Sequence, residues 1–211
     1  MKIIIRPSRN FKEGLIEGVQ TLFFVLLFVI LIRYFIGEIR WIPSGSMRPT
    51  LIEGDRVFVE RVSRFFEEPK RGQVWVFYPP FEELSNKPWP LFKRLTGLWC
   101  KDIAYIKRII GMPGDKFLIR HSKDDKYSII INGEELKEPY IMDDYDYIPC
   151  RTGMICGPFT VPEGHYFMMG DNRGNSQDSR FWGFLPKERL IGQAVVMFWP
   201  VTRIKKLNHN Y

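Results

Sequence analysis

Three separated segments of this chain carry the residue types most suited to chemistry. The first, Pro43–Thr50, places two serines around one glycine, so the hydroxyl of Ser46 can lie on a tight turn beside exposed backbone N–H groups. A serine nucleophile and an oxyanion hole require that arrangement. The second, Tyr105–Gly111, is strand-like and largely apolar around Lys107, and the third, Gly170–Arg180, is rich in Gly, Asp and Asn. Together they make Ser46 a candidate nucleophile, although a Ser-Gly-Ser tripeptide taken alone is more often only a turn.

Lys107 is the predicted general base. An ordinary lysine has a pKa of about 10.4 and is protonated at neutral pH, but burial disfavours the ammonium. If Tyr105–Ile110 forms a strand, Tyr105, Lys107 and Ile109 share a face, where apolar neighbours can desolvate the amine. A shift to neutrality needs about three pKa units, or roughly 4 kcal/mol. For a lone lysine, the alternative is a surface position on an edge strand.

A Ser–His–Asp triad is the competing mechanism. Of the three histidines, His121 lies in a charged segment and His209 in a polar tail. His165, with Asp171 nearby, is therefore the serious candidate, although its setting predicts the first residue of a strand. A calcium loop near Asp171 is disfavoured because the acidic spacing does not fit an EF-hand, and no Cys/His cluster predicts a metal site.

In these segments, in the apolar run before them and in their order, the chain resembles the bacterial type I signal peptidases, membrane-anchored serine proteases that use a lysine base. The resemblance implies that Ser46 is the nucleophile, that Lys107 is the base and that no cofactor is needed. It further implies an oxyanion hole formed by Ser44 Oγ and the backbone N–H of Ser46.

The same resemblance assigns supporting roles in the third segment. It implies that the Ser176 hydroxyl accepts a hydrogen bond from the lysine amine, and that Asp178 and Arg180 form a structural ion pair under the site. Asp171 and Arg173 are similar to scaffold residues of that family. The chain has Gly174 where many members have Asp, which puts the details of this turn in question.

The resemblance implies that the substrates are signal peptides of exported preproteins with a small-x-small motif before the cut. Shallow apolar pockets explain that preference, because they have no room for a large side chain. The signal peptide would bind as an added β-strand. The predicted pocket residues are Ile42, Met47, Leu51, Tyr105 and Ile106, for which core packing is the alternative.

Composition favours a mostly β fold: an N-terminal transmembrane helix, then an antiparallel β-sheet catalytic core with a small inserted β subdomain. The 211 residues allow one sizeable core, and frequent Pro and Gly punctuate short apolar runs. Asn132-Gly133 predicts a hairpin turn, and Met112–Asp115 a type II turn. The last strand is predicted at Val195–Val201.

The apolar run 18–37 is the predicted membrane anchor, since about twenty residues span a bilayer. A cleavable signal peptide is the alternative, but no small-x-small site follows the run. The predicted division of the chain is a cytoplasmic N-terminus (1–17), the anchor (18–37), the catalytic core (38–119 and 159–211) and the inserted subdomain (120–158).

The basic N-terminus predicts a single-pass protein of the bacterial inner (plasma) membrane with its catalytic domain on the outer face. We expect a monomer near the secretion translocon. The net charge of +7 fits contact with anionic phospholipids, and no motif supports nucleic-acid binding.

Four questions stay open on sequence alone. Cys150 and Cys156 either form a disulfide or stay unpaired, with Cys100 left over. Residues 89–99 form either an interfacial segment on the membrane or a loop packed on the core. The chain could instead be a related Ser/Lys protease with one dedicated substrate. It could also be an anchored β module that binds peptides without cutting them.

Overall fold

A computed structural model describes residues 11–84, 87–90, 103–121, 127–141, 150 and 154–207. Within these residues, an N-terminal helix precedes two antiparallel sheets, so the predicted mostly β fold is confirmed. Two short helices, α2 (Ser63–Phe66) and α3 (Ser179–Trp182), lie outside the sheets. The predicted interfacial segment at 89–99 falls mainly outside the described residues, as does Cys100.

Helix α1 (Phe11–Leu31) continues as a π-helical turn, Ile32–Ile36. Together, Phe11–Ile36 is long and apolar enough to cross a membrane, and none of α1 is buried against the protein. The helix begins before the predicted anchor at 18–37, and Gly37 already belongs to the first strand. The apolar run predicts which residues can span a membrane. It does not predict where the helix ends, because backbone hydrogen bonds set those bounds.

The strands of the larger sheet pair in the order β1-β2-β11-β3-β4-β9-β10, with β12 beside β11. All of these pairs are antiparallel. The smaller sheet has the order β7-β6-β5-β8. In chain order, the strands are β1 (Gly37–Trp41), β2 (Arg56–Glu60), β3 (Val74–Phe77), β4 (Tyr105–Gly111), β5 (Lys116–His121), β6 (Tyr127–Ile131), β7 (Glu134–Glu135), β8 (Phe159–Thr160), β9 (His165–Met169), β10 (Leu185–Pro186), β11 (Leu190–Trp199) and β12 (Lys205–Lys206).

Two predicted turns are confirmed. Asn132 and Gly133 both have positive φ (53° and 92°) and join β6 to β7, as a two-residue hairpin turn requires. Gly114 has φ 81°, and Asp115 N donates to Met112 O at 3.0 Å, which closes the turn after β4. The smaller sheet spans residues 116 to 160, a wider range than the predicted subdomain at 120–158.

The predicted last strand, Val195–Val201, has the wrong bounds. Strand β11 begins at Leu190, because it pairs with β3 on one side and β2 on the other and is therefore central to the sheet. It ends before Pro200, which has no N–H to donate to a ladder. A short 3₁₀ turn and β12 follow it.

Buried apolar side chains join the two sheets into one body. Ile110 of β4 and Phe167 of β9 pack with Phe117 of β5 and Ile129 of β6 in one cluster. The rings of Phe117 and Phe167 lie 4.5 Å apart between centroids.

Cys150 and Cys156 form a disulfide, with their Cα atoms 6.1 Å apart. Of the two alternatives left open, the structure therefore has the bridge.

Candidate active site

Ser46 lies on a 3₁₀ turn, Gly45–Met47, in the connection between β1 and β2. Asn172, in the loop after β9, holds this turn by two bonds. Its backbone N–H donates to Ser46 O, and its side-chain Nδ2 donates to Gly45 O, each at 3.1 Å. The Gly-Asp-Asn-Arg segment therefore fixes the position of the serine turn.

Lys107 reaches this serine from β4. Its Nζ lies 2.6 Å from Ser46 Oγ, and the residue is only 4% exposed. Lys107 pairs with Trp75 of β3, and β9 pairs with the other side of β4 from the next residue, Arg108. The ring centre of Tyr105 lies 5.8 Å from Nζ, as the predicted shared strand face requires. The structure thus brings together the two residues that sequence reasoning assigned to the reaction.

Burial lowers the pKa of Lys107 from its ordinary value of 10.5 to about 8. The negative charges of Asp178 and Asp171 partly oppose this effect, and the positive charge of Arg180 adds to it. A pKa of about 8 leaves a useful fraction of neutral amine near neutral pH. That neutral amine can accept the proton of the Ser46 hydroxyl.

Ser44 lies beside the nucleophile in extended backbone, and its Oγ is 3.4 Å from Ser46 Oγ. Its hydroxyl is therefore close to where an oxyanion would form next to Ser46. Both serines open onto a cleft of about 350 Å³. The cleft is lined by Pro43, Ser44, Gly45, Ser46, Ile103, Ala104, Tyr105, Ile106, Lys107, Asn175 and Gln177.

Ser176 is buried next to the serine turn. A Cβ on Gly170 would meet Ser176 Oγ at 2.3 Å and Ser46 O at 2.4 Å, so only glycine fits between them. Within the described part of the chain, Ser176 Oγ makes no hydrogen bond of normal geometry, although it helps slightly to lower the pKa of Asp178. The predicted hydrogen bond from Lys107 to Ser176 therefore stays a prediction.

Asp178 and Arg180 form a fully buried ion pair. Arg180 donates from Nε to Asp178 Oδ1 at 2.8 Å and from Nη2 to Oδ2 at 2.9 Å. Asp178 also accepts from Gly170 N–H at 3.1 Å and caps α3. Burial alone would raise the pKa of Asp178, but the hydrogen bonds and charge of Arg180 hold it below its ordinary value. The geometry is that of the structural pair implied by the resemblance.

A second buried pair was missed by sequence reasoning. Arg108 donates to both carboxylate oxygens of Asp171, at 2.8 and 2.6 Å, and both side chains are fully buried. The Arg108 guanidinium also lies 3.9 Å from the ring centre of Tyr140. Arg173 pairs with Glu138, after β7, and so ties the loop to the smaller sheet. No local signal reveals such partners, because they are distant in sequence.

The predicted pocket residues separate into two groups. Tyr105 and Ile106 line the cleft. Ile42, Met47 and Leu51 are buried in the apolar core and are not among the residues that line it. Sequence reasoning missed Asn175 and Gln177, which flank Ser176 and expose their side chains at the cleft. The available signal was their spacing: if Ser176 points into the protein, its two neighbours in an extended chain point the other way.

His165 begins β9, as its setting predicted, and its Nδ1 lies 2.8 Å from the Glu163 carbonyl oxygen. His165 is not among the residues that line the cleft, and the amine hydrogen-bonded to Ser46 Oγ is that of Lys107. His209 lies outside the described residues. In the part of the chain that is described, no three His, Cys, Asp or Glu side chains are grouped as a metal ion would require.

A family model described as "Signal peptidase, peptidase S26" matches residues 15–199. The chain belongs to this signal peptidase family. A signal peptidase I of Leptolyngbya laminosa is 39% identical over 92% of this chain and 84% of its own length. A probable signal peptidase I-2 of Synechocystis is 38% identical over 95% and 83%, and a signal peptidase I of Bacillus licheniformis 34% over 94% and 96%. The predicted family and enzyme class, a serine peptidase, are confirmed.

Proposed function

We propose that this chain removes signal peptides from exported preproteins, with Ser46 as nucleophile and Lys107 as general base. The observation that carries the proposal is the buried contact of 2.6 Å between Lys107 Nζ and Ser46 Oγ. Burial lowers the pKa of Lys107 to about 8, so that part of this amine is neutral near neutral pH and can accept a proton.

The reaction proceeds through an acyl-enzyme. Ser46 Oγ attacks the scissile carbonyl carbon while its proton passes to Lys107 Nζ, and the carbonyl oxygen becomes an oxyanion. Ser44 Oγ and the Ser46 backbone N–H donate to that oxyanion. As the C–N bond breaks, the ammonium of Lys107 returns the proton to the departing amine. Lys107 then takes a proton from water as the water oxygen attacks the ester carbon. When the bond from that carbon to Ser46 Oγ breaks, the ammonium of Lys107 gives the proton to Oγ, which restores the Ser46 hydroxyl and the neutral amine.

The cleft favours small residues before the cut. Tyr105 and Ile106 form an apolar wall beside Ser46, which supports pockets too shallow for large side chains. The preprotein segment binds in extended form, so that main-chain hydrogen bonds hold it in register. In the same proposal, Ile42, Met47 and Leu51 shape these pockets from the core beneath them.

The helix Phe11–Ile36 anchors the enzyme in the bacterial inner membrane, with residues after about 38 on the outer face. Its length and apolar composition support this placement. We further propose that the enzyme acts as a monomer, in contact with phospholipid and close to the translocon that delivers its substrates.

The test is cleavage of a preprotein with an Ala-x-Ala site by the full chain in detergent. Ser46→Ala and Lys107→Ala should each lower cleavage by at least about a hundredfold, because each removes a group that takes part in bond making or proton transfer. Lys116→Ala, on an exposed position of β5, is the matched control and should cleave normally. Circular dichroism would verify folding of all variants.

Retained cleavage in Lys107→Ala would exclude the lysine base and favour a Ser–His–Asp mechanism with His165 as the base. If the wild type cut one preprotein but not others with the same motif, a dedicated substrate would be indicated. If it cut none, the binding module would be indicated instead.

A further inference from the structure

Glu38 is a buried carboxylate that the proposed reaction does not use. It lies in β1, and its side chain is only 3% exposed. Three guanidinium groups surround it. Arg33 Nη2 lies 2.8 Å from Oε2, and Arg40 Nε and Arg61 Nη2 lie 2.6 and 2.9 Å from Oε1. Burial alone would raise the pKa of Glu38. The charges and hydrogen bonds of Arg40 and Arg61 together outweigh burial and hold the pKa below its ordinary value, so the carboxylate stays ionised.

The three arginines come from different parts of the fold. Arg33 belongs to the π-helical turn that ends the apolar helix, Arg40 to β1 itself, and Arg61 directly follows β2. Glu38 therefore joins the apolar helix to two strands of the larger sheet. A buried charge paired on several sides resists displacement, since moving it away from all its partners would leave its desolvation uncompensated.

Other contacts restrain the same junction. Arg61 N–H donates to Ile36 O at 2.9 Å, and a Cβ on Gly37 would come within 2.4 Å of Val59 O. The Tyr34 ring lies 6.2 Å from that of Phe65 in α2. The end of the helix thus meets the body through one backbone hydrogen bond and an aromatic contact with α2, in addition to the charge cluster.

The restrained strand leads directly to the nucleophile. β1 pairs with β2 along its whole length, and beyond it Ile42 N–H donates to Asp55 O while Gly54 N–H donates to Ile42 O, each at 2.9 Å. The serine turn begins only a few residues later. Because an extended chain advances at most about 3.5 Å per residue, this short, hydrogen-bonded connection limits how far Ser46 can move relative to Glu38.

We propose that Glu38 is a positioning residue which, by pairing with Arg33 and Arg61, locks the membrane helix to the catalytic sheet and holds the cleft at a set height over the bilayer. This inference rests on the proposed function. A preprotein whose signal segment lies in the membrane presents its cut site at one height, so alignment matters for that substrate. A short soluble peptide diffuses to the cleft in any orientation, so its cleavage does not depend on how the helix is held against the sheet.

The experiment compares two substrates on the full chain reconstituted in phosphatidylglycerol/phosphatidylethanolamine vesicles. One is a membrane-inserted preprotein, and the other is a soluble peptide that spans the same Ala-x-Ala site. Arg33→Gln is the main variant, because Arg33 is partly exposed and its loss leaves Glu38 two other partners. A misplacement of about 1 Å at the reacting centre can cost about a hundredfold in rate. We therefore expect kcat/KM for the preprotein to fall by about ten- to a hundredfold, and kcat/KM for the peptide to stay unchanged.

Two further variants sharpen the test. Arg33→Lys keeps the positive charge and should retain most of the preprotein cleavage. Glu68→Gln removes the carboxylate of an exposed ion pair with Lys187 and should leave both substrates unaffected. Glu38→Gln should reproduce the Arg33→Gln result if its melting temperature shows a folded protein.

An equal loss on both substrates would overturn the positioning role, because it would mean that Arg33 supports the fold or the site itself. Unchanged cleavage of both would overturn it as well. If the wild type cut neither substrate, the proposed function would fail, and the positioning role with it. These outcomes distinguish a failure of the lock from a failure of the function.

Discussion

At the scale of single residues, Lys107 combines a costly position with a useful one. Its side chain is almost fully buried, and this burial lowers its pKa to about 8. The same desolvation that makes the ammonium unfavourable makes the neutral amine a base near neutral pH. In the proposed mechanism, the protein around Lys107 keeps part of the amine neutral, and Lys107 takes the role that a histidine has in a Ser–His–Asp triad.

The first prediction concerns the pH dependence of cleavage. Below about pH 8, Lys107 is mostly protonated and cannot accept the Ser46 proton, so kcat/KM should rise with pH and level off above about pH 8. The measurement is kcat/KM on a soluble peptide at constant ionic strength. A profile that levels off near pH 6.5, about where histidine titrates, would contradict the lysine base.

The linked effect on stability has a definite sign. The pKa of Lys107 is lower in the folded protein than in the unfolded chain, so the unfolded state binds the extra proton between about pH 8 and 10.5. The penalty for burying the ammonium is therefore fully present below about pH 8. It is relieved as the pH rises through that window.

At the scale of elements, the site depends on how the loop after β9 joins distant segments. Asn172 holds the serine turn, and Asp178 with Arg180 fixes the end of the same loop. Asp171 reaches back to Arg108 in the strand that carries Lys107. One loop thus orients the nucleophile and the base relative to each other.

Replacement of Asp171 by asparagine should show how much this loop contributes to stability. The change leaves the fully buried Arg108 without its counter-charge, so the free energy of unfolding should fall by about 3–5 kcal/mol. Chemical denaturation would measure it. Glu53→Gln, which removes the exposed partner of Arg48, is the control and should have no measurable effect. An equal effect of both changes would mean that burial does not set the cost.

The sequence predicted those features that local patterns control. Asn132-Gly133 requires positive φ, and the alternation around Lys107 sets one strand face, so the hairpin and the placement of the base on β4 followed from a few neighbouring residues. The contact of Lys107 with Ser46 came from the family resemblance, since nothing local links residues so far apart.

What the sequence did not reveal depends on contacts between distant segments. β11 begins earlier than predicted because two neighbouring strands pair with its start, which its own residues do not show. The Arg61–Glu38 and Arg108–Asp171 pairs likewise join residues that lie far apart in the sequence. Apolar residues near Ser46 gave no sign of whether they would face the cleft, as Tyr105 does, or the core, as Leu51 does.

At the scale of the whole molecule, the apolar helix and the catalytic body are separate in packing. No residue of α1 or of the π-helical turn is buried, and the clusters of buried apolar side chains in the described residues draw only on positions from Ile42 onward. The hydrophobic effect that stabilises the sheets therefore does not depend on the helix. The helix contributes its position in the bilayer and, through Arg33, one partner of Glu38.

Removal of residues 1–36 should therefore leave a folded enzyme. Glu38 keeps Arg40 and Arg61, so its charge stays compensated, and we expect the truncated chain to cleave a soluble peptide with kcat/KM within a few-fold of the full chain. Cleavage of a preprotein held in vesicles should fall far more, because the truncated enzyme has lost its fixed position over the bilayer. Near-UV circular dichroism and both assays would measure this. A truncated chain that lost tertiary structure would contradict this prediction. It would show that the contacts between the helix and the body stabilise the folded protein more than their small buried area indicates.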